Sequence, residues 1–171
     1  MNQPAEHPAT LTPFNGFLVF LLVVGAIVGW LVLGTKVFGV SSYFASFLFL
    51  WYWAAVEQAD FKQWPQCVIG ALVGLGLAWQ SAFLPLHFGV PGMIGGIAVL
   101  LAAIYVQIMN WVPIAINRAT MLYLTVLGAP ALLAKLDVIE TGVAIAGSSV
   151  FFAGVVKLAF LYAAHKASKA G

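Results

Sequence analysis

Charge is what this sequence has least of. Only 7% of its 171 residues are Asp, Glu, Lys or Arg, whereas a soluble domain carries about 25%. A conventional water-soluble fold is excluded on that ground. The formal net charge is +2 and no basic cluster exceeds Lys166 and Lys169, so nucleic acid is not an expected partner. One cysteine is present, Cys67. It excludes an internal disulfide and any multi-cysteine metal or iron–sulfur site within one chain, and reads as a small packing residue. His7, His87 and His165 fall in tails or loops, so two axial histidines for an intramembrane haem are missing. No acidic pair lies inside an apolar run, which leaves a carboxylate proton relay or a cation site without ligands. Serine–histidine–acid sets, phosphate-cradling glycine loops and metal-ligand spacings are also missing. Neither catalysis nor a metal nor a cofactor is expected. Residues 1–13 hold no Lys or Arg, whereas a secretory signal needs a basic start and a short apolar core. The first apolar run is about twenty residues, the length of a retained span.

What is present is apolar surface: 63% of residues are hydrophobic and mean hydropathy is +1.04. The chain reads as an all-α polytopic membrane protein whose first partner is the lipid bilayer. About 20 apolar residues cross a bilayer as a helix, and six apolar runs occur, at 14–33, 41–56, 67–84, 93–109, 120–134 and 141–164. The expected organisation is a polar tail over 1–13, one transmembrane domain over 14–164 and a basic tail over 165–171. Gly25 and Gly29 in the first run, and Gly70 and Gly74 in the third, permit close helix contact. They point to tight internal packing or a homo-oligomer.

The last run is the most informative. Gly142, Ala146, Ser149, Ala153 and Lys157 recur on one helical stripe. A lysine there would point into the protein rather than at lipid, or snorkel to the interface, or pair with Glu57 or Asp60. Shifted by 77 residues, Asp137–Leu161 overlays Asp60–Leu84, with Lys157 on Gln80. The same shift carries the first two runs onto the fourth and fifth. Two halves, 14–88 and 91–164, are therefore expected. Each holds three spans, an odd number, so the second would be inverted relative to the first.

Polar residues inside or beside spans set the functional expectation. Gln80, Gln107, Asn110 and Asn117 can donate and accept hydrogen bonds without the cost of a charge. They suit a neutral hydrogen-bonding solute, and equally suit contacts between helices. Pro113 interrupts an apolar segment flanked by such amides. A broken segment leaves backbone groups that must face a cavity or protein. Sorting Lys and Arg over six spans puts Lys62, Arg118, Lys166 and Lys169 on one side with both termini, the cytoplasmic side. Lys36 and Lys135 fall on the other.

Gly29-Trp30, Phe38-Gly39, Tyr43-Phe44-Ala45, a glycine-rich third run ending near Trp79, and Trp111-Val112-Pro113 resemble small bacterial inner-membrane proteins of the YcdZ type. This resemblance covers most of 16–161. It implies a bacterial inner-membrane location and a family without an assigned substrate, and transfers no functional residue. In size, span count and interior amides the chain is also similar to six-span urea and short-chain amide channels. The expectation is a channel or carrier for a small polar solute or weak-acid anion. Its path would use Lys157, Gln80, Gln107, Asn110, Asn117 and Ser149. The alternative is a non-transporting subunit of a larger membrane complex.

Overall fold

A computed structural model describes residues 13–170. Apart from Pro13, the expected N-terminal tail lies outside the described residues. Six α-helices follow in chain order: α1 Pro13–Phe38, α2 Phe44–Trp51, α3 Trp64–Ile108, α4 Arg118–Leu127, α5 Pro130–Leu133 and α6 Val138–Ala170. A π-helical turn, Tyr52–Val56, extends α2. No strand occurs among the described residues. Three helices, α1, α3 and α6, are long and apolar enough to cross a membrane.

Helix α3 has 45 residues. Straight, it would run about 68 Å, more than twice the hydrocarbon thickness of about 30 Å. It folds back instead. Gly89 adopts φ 60°, ψ −138°, a conformation open in practice only to glycine. Gln80 Nε2 then donates to the Gly96 carbonyl at 3.3 Å. Those residues would lie about 24 Å apart in a continuous helix. The absent side chain at Gly92 lets the second arm rest on the Leu84 carbonyl. The result is an antiparallel hairpin with arms 64–88 and 90–108. The segment 85–92 is helical on both sides of one reversing glycine.

The core forms where α2, the first arm of α3, α4 and α6 meet. It is built from residues including Phe49, Trp53, Ala71, Leu75, Tyr123 and Ile145. Glycine lets α4 lie close to α3: a side chain at Gly74 would strike the Thr120 carbonyl and the Tyr123 Cβ. Contacts of Gly70 with Asn117, and of Gly74 with Thr120 and Tyr123, show that α4 runs parallel to the first arm. Helix α6 crosses that arm antiparallel: Leu75 reaches Gly142, and Trp64 Nε1 donates to the Ser149 carbonyl at 3.1 Å. Among the long helices, α1 packs chiefly on α6. Trp30, fully buried, fits against Gly147 and stacks beside Phe151 and Phe152. Most of the rest of α1 is exposed, as is much of the arm 90–108.

Several sequence expectations need correction. The fifth run, 120–134, is not one continuous span. Helix α4 has 10 residues and stops at Leu127, and Pro130 opens the four-residue α5. Proline has no N–H to continue a helical ladder. The second run is also short, with helical structure only over Phe44–Val56. The tail expected over 165–171 continues α6 to Ala170. The buried stripe of α6 is Ala144, Ile145, Ser148, Ser149 and Phe152, rather than the stripe from Gly142 to Lys157. Burial follows Phe152 and the glycine opposite Trp30, because the largest ring decides which face turns inward.

Candidate functional site

Two short helices end where two polar loops meet. Helix α2 and its π turn deliver Tyr52 and Glu57. The first turn of α3, opened by Pro65, presents Gln63, Gln66 and Cys67. The second arm of α3 ends at Gln107, and Asn110 follows with φ 52°. Pro113 keeps 109–117 from continuing as helix, and α4 begins at Arg118. These pieces enclose an open cleft of about 430 Å³.

Asn117 holds its wall together. Its Oδ1 accepts from Ala119 N at 2.9 Å and from Thr120 N at 3.3 Å. The Thr120 hydroxyl accepts from Asn117 N, completing a capping box. Nδ2 donates to the Gln66 carbonyl at 2.9 Å and to the Pro113 carbonyl at 3.0 Å. The side chain lies where a Cβ on Gly70 would be. One amide thus caps α4, ties it to α3 and closes the broken segment, with its donors and acceptor already spent.

Other groups are open. The Tyr52 hydroxyl donates to Glu57 Oε1 at 2.7 Å and holds that carboxylate at the rim. Trp53 Nε1 donates to the Asp60 carbonyl at 3.0 Å and fixes the loop beside it. Arg118 is exposed across the cleft. The side-chain amides of Gln63, Gln66, Gln107 and Asn110, and the Arg118 guanidinium, make no hydrogen bond or ion pair among the described residues. Four amides can donate and accept, beside one anion and one cation. This set can hold a small neutral or zwitterionic molecule through several hydrogen bonds. No group of three or more metal-ligating side chains occurs among the described residues.

A second cleft, about 300 Å³, lies at the other ends of the same helices. Ser41, Ser42, Ala45, Leu127, Lys135 and Glu140 are among its lining residues. The Glu140 carboxylate accepts from Ser41 N at 2.6 Å, Ser41 Oγ at 2.8 Å and Ser42 N at 2.9 Å. An anion there complements the start of α2 and locks α6 to it.

Of the expected path residues, Gln107, Asn110 and Asn117 are brought together in the first cleft. Gln80 is used in the α3 hairpin. Ser149 is buried with its hydroxyl on the Ala146 carbonyl at 2.7 Å. Lys157 is exposed on α6 and lines neither cleft. Glu57 and Asp60, its suggested ion-pair partners, instead accept from the Tyr52 hydroxyl and Lys62 N. A Cβ on Gly29 would lie 3.3 Å from the Phe151 ring and Gly70 and Gly74 face α4 and its cap, whereas a Cβ on Gly25 would meet nothing within 4 Å. Sequence reasoning missed Tyr52, Glu57, Gln63, Gln66 and Arg118 as members of one site. The only signal was polarity: 57–66 is the most polar internal loop, and 107–118 the interrupted segment.

No protein-family model, curated protein or solved structure matches this chain.

Proposed function

We propose that this chain is a small membrane transport protein for a small polar solute, and that the Glu57–Arg118 cleft is where the solute binds. The observation that carries the reading is the cleft itself: four unspent amides and two opposite charges in a chain with 7% charged residues. Polar groups that are costly near a bilayer are kept where they serve a path. Facing charges favour a neutral or zwitterionic solute, since an anion drawn to Arg118 would also meet Glu57.

The architecture is consistent with six passes in two inverted halves. The 77-residue shift carries α1 onto the arm 90–108, and 64–88 onto 141–165. It also carries Phe44–Val56 onto 121–133, where α4 ends and α5 lies. Packing follows the same exchange: α1 and α2 lie on α6, while the arm 90–108 and α4 lie on the arm 64–88. The clefts exchange too, since the shift takes Ser41 to Arg118 and Gln63 to Glu140, all of them lining residues. An inner-membrane setting rests on the resemblance of the sequence to the YcdZ type.

Liposome swelling with acetamide as the probe tests the reading. Vesicles holding the purified protein should swell faster than protein-free vesicles. Replacing Gln66 and Gln107 together by Leu should slow this at least about fivefold, the effect of losing one net hydrogen bond of about 1 kcal/mol. Lys157→Met should leave the rate unchanged. Swelling at the protein-free rate in the wild type would remove amide transport. The second reading, an accessory subunit, is favoured by the exposed first half of α1, where Gly16 and Gly25 face open space. A stoichiometric second polypeptide in the purified particle would shift the weight to it.

A further inference from the structure

The two clefts are separated by very little protein. Arg118 lines one and Leu127 lines the other, so α4 spans the gap in its 10 residues, about 15 Å. On α2, Ala45 lines one cleft and Tyr52 the other, about 10 Å of helix apart. A hydrocarbon core is about 30 Å thick. Both helices common to the clefts are thus shorter than a span, and the clefts occupy the remaining depth from opposite ends.

Buried side chains fill the gap, Tyr123 and Phe49 among them. Tyr123 lies one helical turn from Leu127, and Phe49 one turn from Ala45. Both are fully buried. The Tyr123 hydroxyl donates to the Ala45 carbonyl at 2.6 Å. That carbonyl lies in α2, seven residues before the π turn Tyr52–Val56 begins and four before Phe49. This hydrogen bond is the direct polar tie between α4 and α2. It is made in the dry layer, where water offers no competing partner. Gly74 lies against the Tyr123 Cβ, so the α3 backbone sits directly behind that residue.

We propose that Tyr123 is the gate of the path: its ring, with Phe49, is the partition between the two clefts, and its hydroxyl latches that partition shut against Ala45. This rests on the transport reading, since the clefts are taken as the two mouths of one path. Opening requires the latch to break and the ring to swing toward the Leu127 side.

Cys67 is the sole cysteine and is buried at 3% exposure, so the readout is Gln107→Cys on a Cys67→Ser background. Gln107 is half-buried and lines the first cleft only. A membrane-impermeant methanethiosulfonate reagent is applied to right-side-out and to inside-out membrane vesicles. With Tyr123 intact, the introduced thiol should react from one face. Tyr123→Ala should make it react from both. Tyr123→Phe keeps the ring and the packing, so it retains the fold, and should raise the rate from the second face about fivefold, the effect of one lost hydrogen bond. Reaction confined to one face in both variants, or absent in both, would overturn the gate. The same holds if the introduced thiol reacts equally from both faces with Tyr123 intact. Acetamide swelling of the wild type is read separately. Opened labelling without wild-type swelling upholds the partition and overturns transport of that amide.

Discussion

Trp30 and Gly147 show how one pair of residues can decide where a helix sits. The indole is fully buried although its Nε1 has no hydrogen-bond partner among the described residues. Its large apolar area outweighs that loss, because burying an aromatic ring of this size dominates local packing. A Cβ at Gly147 would come within 2.8 Å of the Trp30 ring, whereas one at Gly154, two turns further along the same helix, would meet nothing within 4 Å. Gly147→Val should therefore destabilise the protein by about 1–3 kcal/mol through overpacking. Gly154→Val should be close to neutral. Thermal unfolding in mild detergent checks the pair, and equal midpoints would contradict the packing.

At the scale of elements, the chain is governed by breaks as much as by helices. Gly89 reverses α3, Pro130 separates α5 from α4, and Pro113 forces the segment that Asn117 then caps. Each break lies where a backbone group needs another partner or a dihedral that a side chain would hinder. Gly89→Val keeps the apolar character of α3 and removes the conformational freedom at its reversal. The expected cost is about 1–3 kcal/mol, read as a lower thermal midpoint. An unchanged midpoint would show that the reversal does not depend on glycine. Helices α2 and α4 are short for a related reason: the polar loops at their ends are drawn inward to line the clefts.

Across the whole molecule, polar groups sort to two ends. Glu57, Gln63, Asn110 and Arg118 gather at one cleft, and Ser41, Lys135, Asp137 and Glu140 at the other. The proposed six-pass arrangement, with its excess of Lys and Arg at this end, predicts a cytoplasmic Arg118 end. Reporter fusions after Asn110 and after Gly171 should both report the cytoplasm, and one after Lys135 the opposite side. A fusion after Asn110 that reports the outside would break the six-pass topology.

Composition and run length alone determined that the chain is helical, with segments long and apolar enough to cross a bilayer, because a helix satisfies all backbone groups within one apolar run. Also legible were Gln107, Asn110 and Asn117, which stand out as amides beside an interrupted apolar run. The partners of those amides were not legible. Gln66 and Asn117 are 51 positions apart, and nothing local says that their loops meet. Lys157 drew attention as the one charge in its run, yet which face of α6 turns inward depends on Trp30 finding Gly147. Only tertiary structure decided that, because the fit of a large ring into a glycine gap, and not the polarity of one stripe, sets the rotation of a helix.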